Sequence, residues 1–168
     1  MRILAVAVLA LALAGCGWHL RGSQGASLGG QRIAVINDTQ SRPLLRDVEA
    51  VLADVGASVV DAGAGSDARL QLLRQRFSRR TLAGAGDDGI AEYELAYELR
   101  FRVLGPDETP WSEAETVRAA DSYEVNEANV LAGEARRDDL SVYLREQAVR
   151  LMAARLQAAI DRNRDSGE

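Results

Sequence analysis

The longest regular pattern in the chain runs from Ile90 to Leu104. Odd positions read Ala91, Tyr93, Leu95, Tyr97, Leu99, Phe101 and Val103, and the even positions between them read Glu92, Glu94, Ala96, Glu98, Arg100 and Arg102. A period of two predicts a strand with one buried and one wet face. Sheets wet on one face are typically antiparallel or mixed. Leu70 to Leu82 is the expected partner strand, joined through the glycine-rich turn from Ala83 to Gly89. Directly opposed residues share a face, so the expected register sets Phe77 opposite Leu95 and Leu73 opposite Leu99, with Arg74 against Glu98 and Arg80 against Glu92. A slip by one residue would mix the two faces.

The flanking segments supply the other elements. Arg32 to Asn37 is a short apolar run bounded by Gly30 and Asp38 and reads as a strand. Thr39 to Pro43 offers capping hydroxyls and a proline suited to a helix start. Leu44, Val48, Val51, Leu52 and Val55 then recur at helical spacing, and Gly56 supplies the stop. Ser58-Val59-Val60 reads as a brief strand, Trp111 to Tyr123 as a further strand with an edge character, and Val125 to Glu134 as a connection. A long helix is expected from about Arg136, carrying Leu140, Leu144, Ala148, Leu151 and Leu156 on a broad apolar face. The fold class is α+β: a two-layer sandwich with a four-stranded mixed sheet and two helices packed on one face. The first strand and the Leu70 strand, if adjacent, would run parallel through a helical crossover.

The N-terminus has a different character. Arg2 is followed by an uncharged run from Ile3 to Ala14 and then Gly15-Cys16. A basic residue, a short apolar segment and small residues make a secretory signal, and the run is shorter than the ~20 residues a membrane span needs. Leu13-Ala14-Gly15-Cys16 resembles a bacterial lipobox, which implies a lipid on the Cys16 sulfur and cleavage before it; the alternative is an ordinary signal with a chance cysteine. The expected boundaries are 1–15 signal, 16–30 lipidated tether, 31–162 folded domain and 163–168 polar tail. Gly17 stands where an aspartate commonly holds lipoproteins at the inner membrane, so the expected location is the outer membrane.

Composition narrows the chemistry. The net charge of -5 becomes -6 when Arg2 leaves with the signal, so general attraction to nucleic acid is not indicated. Cys16 is the only cysteine, which leaves no disulfide, and all 20 basic residues are arginine. One histidine and no free thiol leave no persuasive catalytic constellation, and no metal or cofactor is called for. Gly84-x-Gly86-x-x-Gly89 matches a dinucleotide fingerprint in form, but a strand follows it, so no helix N-terminus is available for a pyrophosphate. What remains are arginine clusters. Arg74, Arg76, Arg79 and Arg80 lie along one strand towards the hairpin tip, and Arg136 and Arg137 precede the last helix. These either pair across the surface or make charge-assisted contacts to phosphate.

With these residues in view, the chain resembles the LptE family of outer-membrane lipopolysaccharide-assembly lipoproteins. The resemblance rests on Cys16-Gly17-Trp18-His19-Leu20-Arg21 after the lipobox, on Ala91-Glu92-Tyr93 opening the alternating strand, and on Asn129-Val130-Leu131-Ala132 leading into the final helix. It implies residence in the lumen of the LptD β-barrel, as plug, assembly partner and lipopolysaccharide-binding element, with translocation and not catalysis as the activity. The lipopolysaccharide-binding candidates are Arg79, Arg80, Arg136 and Arg137. Some relatives carry a basic residue near the first hairpin tip; here the tip is the acidic Gly86-Asp87-Asp88-Gly89. A free-standing periplasm-facing lipoprotein that binds peptidoglycan or another envelope partner is the alternative, and a hydrolase with an unrecognised site a weaker third.

Overall fold

The computed structural model describes residues 27–62, 64–86 and 89–166. In chain order these form β1 (Arg32–Asn37), α1 (Arg42–Asp54), β2 (Ser58–Val60), β3 (Ala68–Ala83), β4 (Ile90–Leu104), β5 (Glu115–Asn126), a single 3-10 turn (Glu127–Asn129) and α2 (Val130–Ser166). The sheet is mixed and five-stranded, in the order β2-β1-β3-β4-β5. The expected four strands become five because Ser58–Val60 pairs in parallel with Arg32–Ala34. At three residues that strand is too short to show an alternation. β1 and β3 are parallel neighbours, as their sequence order suggested, and β3, β4 and β5 are antiparallel.

Local chemistry sets the ends of α1. Ser41 is the N-cap, its Oγ accepting the Leu44 amide at 3.3 Å, and a proline follows in the first turn. At the other end the Gly56 amide donates to the Ala53 carbonyl and the Ala57 amide to that of Leu52, a Schellman closure. Its left-handed residue, Gly56 at φ 84°, is glycine because a Cβ disfavours that region.

The β3–β4 pairing differs from the expected register. Phe77 faces Tyr97 and not Leu95, Gln75 replaces Leu73 opposite Leu99, Arg76 replaces Arg74 opposite Glu98, and Arg80 faces Glu94 and not Glu92. The pairing is already one residue off the expected register at Leu70, which faces Val103, and an irregularity between Leu72 and Arg74 adds one residue more. Leu70 and Leu72 are buried opposite Val103 and Phe101, whereas beyond Leu73 the residues sharing a face with Tyr97 and Leu99 are odd-numbered. A bulge inserts one residue on one strand and so switches which parity points inward. Without it, Arg74 and Arg76 would follow Leu72 into the core. The sequence does carry this signal, as a change from even to odd apolar positions between Leu72 and Phe77.

β5 begins at Glu115, later than expected, because Trp111 belongs to a turn: its amide donates to the Val103 carbonyl at 3.0 Å, and its indole lies against Gly105. α2 begins at Val130, before Arg136, so Arg136 and Arg137 sit in its second turn and not ahead of it. Asn126 accepts the Ala128 amide at 2.8 Å and Asn129 the Ala132 amide at 3.3 Å, which start the turn and then the helix. The opening residues Val130 and Leu131 are exposed, so no apolar periodicity announced this start. The helix also continues to Ser166, through most of the stretch expected as a tail.

Inward residues of the sheet join Leu44, Val48 and Leu52 of α1 with Leu144, Ala148, Met152 and Leu156 of α2 in one hydrophobic cluster. α2 contacts β4, β5 and α1. The two helices are also linked by an ion pair, Arg145 Nε donating to Asp47 Oδ2. The tips of β3 and β4 run past this core: Phe77, Leu82 and Ile90 are exposed.

Candidate functional site

The four candidate arginines fall in different places. Arg80 lies on the wet face of the hairpin, where its Nε and Nη2 donate to Glu94 at 3.0 and 3.2 Å. Glu94 also accepts from Arg118 Nη2 at 2.7 Å. The hydrogen bond from Arg80 holds the Glu94 carboxyl below its ordinary pKa, assisted by Arg118. Arg80 therefore belongs to a cross-strand ion-pair network. Arg136 is exposed on α2, among the residues of its second turn.

Arg79 and Arg137 do converge. Both line a cleft of about 270 Å³ together with Ala91, Tyr93, Tyr123, Val125, Val130, Gly133 and Glu134. The sheet builds its floor: Ala91 faces Val125 and Tyr93 faces Tyr123 across the β4–β5 ladder. The Tyr93 and Tyr123 ring centroids are 5.8 Å apart. Arg79 Cζ lies over the Tyr93 ring, 4.7 Å from its centroid, a cation–π contact that draws the guanidinium to the aromatic face. The helix builds the opposite wall. Val130, Gly133, Glu134 and Arg137 recur at three- and four-residue steps, so they share one helix face.

Gly133 sets the width of the cleft. A Cβ there would stand 2.8 Å from Val125 Cγ1 and 3.0 Å from Cγ2, so only glycine lets the first turns of α2 lie this close to β5. Arg137 follows one turn later. Its Nε and Nη2 donate to Asp138 Oδ1 at 3.1 and 2.8 Å, and this contact raises the guanidinium pKa above its ordinary value. A guanidinium has five N–H donors, so most of them stay open to a ligand. Tyr123 is 5% exposed, and its hydroxyl has no hydrogen-bond partner among the described residues.

Sequence reasoning identified the two arginines but neither tyrosine as a site residue. Tyr93 reads as a position on the buried face of its strand and Tyr123 as the end of the next one, and only the β4–β5 register shows that they lie side by side in the cleft that Arg79 and Arg137 line. Cys16, Trp18 and His19 and the acidic tip Asp87-Asp88 lie outside the described residues. Among the described residues no cluster of three or more potential metal-ligating side chains occurs, and no helix is long and apolar enough to cross a membrane. The strand β4, and no helix, follows Gly89, as the dinucleotide argument required.

A mixed open sheet and two helices define an α+β domain, and the fold is one already seen among bacterial lipoproteins. The solution structure of an uncharacterized lipoprotein B from Nitrosomonas europaea superposes with a TM-score of 0.68 at 24% identity, covering 84% of this chain and 91% of that one. The rare lipoprotein B of Shewanella oneidensis gives 0.60 at 23% identity, covering 80% and 98%. The chain belongs to the LptE family, described as lipopolysaccharide-assembly, which it matches over residues 31–156. It is 29% identical over 154 residues to the LPS-assembly lipoprotein LptE of Pectobacterium atrosepticum, covering 91% of this chain and 83% of that protein. It is 25% identical over 146 residues to the LptE of Photorhabdus laumondii, covering 87% and 79%. The family consists of non-enzymatic lipopolysaccharide-assembly lipoproteins.

Proposed function

We propose that this chain is anchored to the outer membrane through a lipid on Cys16 and acts as plug and assembly partner of the LptD barrel. In this role it binds lipopolysaccharide as the lipid is inserted into the outer leaflet. Both helices cover one face of the sheet, and the opposite face, carrying Arg80, Glu94, Glu98 and Arg118, is left to a water-filled barrel lumen. Barrel interiors are polar, so a charged sheet face suits that setting. The periplasm-facing domain then sits within reach of the barrel mouth through the 16–30 tether.

The observation that carries the lipopolysaccharide reading is the meeting of Arg79 and Arg137 over one cleft. Two guanidiniums from distant parts of the chain offer forked donors to the same small space, and arginine forks match phosphate oxygens in geometry and charge. Of the four candidates, Arg79 and Arg137 are the direct contacts, Arg136 adds positive charge nearby, and Arg80 serves the ion-pair network instead.

Affinity purification of the full-length chain from outer membranes in mild detergent tests the assembly. The expected result is a co-purifying β-barrel of the LptD type, with mass spectrometry finding diacylglycerol and an acyl chain on Cys16. An isolated monomer with a free Cys16 thiol would overturn it. The double charge reversal Arg79→Glu, Arg137→Glu should abolish lipopolysaccharide retention while the barrel still co-purifies.

A further inference from the structure

We infer that the wet face of the sheet docks an acidic protein segment in extended conformation, held by Arg74, Arg76 and Arg100. The inference rests on the barrel-partner reading and deepens it: the segment is a strand of the barrel's inner wall that carries carboxylates two residues apart.

The two antiparallel registers arrange this face in rows. Arg80, Glu94 and Ser122 form one row, and Ser78, Ala96 and Ala120 the next. Arg76, Glu98 and Arg118 form the third, and Arg74, Arg100 and Thr116 the fourth. The first row is satisfied, since Glu94 accepts from Arg80 and also from Arg118. The fourth is not. Arg74 and Arg100 stand directly opposite each other, and like charges so placed are destabilising. Arg74, Arg76 and Arg100 are all exposed, and none of them makes a hydrogen bond or ion pair among the described residues.

The neighbouring carboxylates do not cancel this charge. Glu98 sits between Arg76 and Arg118 and lies 3.9 Å from Arg118 Nε. Across the four rows five arginines meet two glutamates, a local excess of three positive charges in a chain of net charge -5. Beyond the fourth row Asp38 is already engaged: it accepts from Gln71, which accepts from Arg102.

Shape and spacing specify the partner. Arg74, Arg76, Glu98, Arg100 and Thr116 border a depression of about 180 Å³, below the ~300–1,000 Å³ of ordinary small-molecule sites. The only apolar side chains in the four rows are two alanine methyls, so acyl chains find no surface here. Arg74 and Arg76 are two positions apart on β3, a repeat of about 6.6 Å. An opposing strand presents alternate residues at that same repeat, and the lumen side of a barrel strand is polar. Carboxylates at two successive inward positions then meet the Arg74–Arg100 pair and Arg76 in turn, and arginine forks take carboxylates through paired hydrogen bonds.

The test uses the full-length chain in outer membranes, with photoreactive benzoylphenylalanine in place of Ala120, which is exposed on the same face outside the patch. Irradiation should crosslink it to the barrel, at a peptide with Asp or Glu two positions apart. Arg74→Gln with Arg100→Gln should cut the crosslink yield about fivefold or more at low salt. Raising the salt to about 0.5 M should cut the wild-type yield similarly and leave the variant unchanged, because exposed charges are screened. Arg80→Gln should crosslink as the wild type does. The thermal midpoint of the double variant should hold or rise, since a like-charge pair is removed; a merely structural pair would lower midpoint and yield together.

The failures are distinguishable. If no barrel co-purifies with the wild type and none is crosslinked, the barrel reading is overturned and the inference falls with it. If a barrel co-purifies but Ala120 crosslinks nothing, or the double variant crosslinks as the wild type does, the inference alone is overturned. Crosslinks to lipopolysaccharide in place of protein would make the occupant a lipid and overturn the assignment, as would a barrel peptide without carboxylates. Equal loss in Arg80→Gln would assign the effect to the charge of the whole face and overturn the role of the three arginines.

Discussion

The Arg79 guanidinium lies 4.7 Å from the centre of the Tyr93 ring, on the side of the hairpin opposite to the guanidinium of its neighbour Arg80. Adjacent residues in a strand point to opposite faces. The first joins Arg137 in a cleft, and the second joins Glu94 in an ion pair. One step along the backbone thus separates a candidate ligand contact from a surface salt bridge.

The wet-face network should be sensitive to acid. Glu94 accepts from Arg80 and Arg118, and its folded pKa is depressed, first by the Arg80 hydrogen bond. A carboxylate whose folded pKa is lowered contributes stability above its unfolded pKa of ~4.3 and loses it as pH falls through the folded value. Thermal midpoints measured from pH 7 down to pH 3 should therefore fall at the acid end. Glu94→Gln should flatten part of that slope and change little near pH 7, because both arginine partners are solvent-exposed and such pairs are worth little. An unchanged slope in the variant would show that Glu94 is not the titrating group.

Gly133 should resist the usual advantage of alanine in a helix. Replacing glycine by alanine stabilises a helix interior by ~1 kcal/mol. At this position the new Cβ would stand 2.8 Å from Val125 Cγ1, and overpacking of that kind costs about 1–3 kcal/mol. The clash should win, so Gly133→Ala is expected to lower the unfolding free energy in urea. Gly133→Ala with Val125→Ala should recover part of the loss, because the facing methyl groups are gone.

The Asp47–Arg145 pair should matter more than the surface pairs. It joins α1 to α2, and the two side chains are only 23% and 16% exposed. Hydrogen bonds to charged groups are worth about 1.5–3 kcal/mol, so Asp47→Ala should destabilise by roughly that amount in denaturant titrations. Removing both charges in Asp47→Leu, Arg145→Met should cost less than Asp47→Ala alone, because no buried charge is left unpaired. A double variant as unstable as the single one would contradict this account. Burial pushes the neighbouring Tyr97 phenol well above its ordinary pKa, so it stays neutral and its hydroxyl remains a donor to Gln75 through the accessible pH range.

By itself the sequence determined which segments are strands and helices wherever a period was long enough to repeat. The alternation of Ile90 to Leu104, the helical spacing of Leu44 to Val55 and the capping residues Ser41 and Gly56 all carry their own local physics. It also offered Arg79, Arg80, Arg136 and Arg137 as candidates, because charge clusters are visible along the chain, without saying which of them meet. The tertiary structure decided matters that depend on pairing between distant segments. That the brief Ser58–Val60 strand joins the sheet beside β1 is settled only by the fold, and the bulge at Leu73 moves every partner beyond it by one residue and switches the inward parity. The start of α2 rests on two asparagine caps with no apolar stripe above them. That Arg79 and Arg137 share one cleft, with Tyr93 and Tyr123 lining it too, follows from a strand register and from the absence of a single methyl group at Gly133. Local periodicity is written in neighbours along the chain, whereas a site is made by the closeness of residues that only folding brings together.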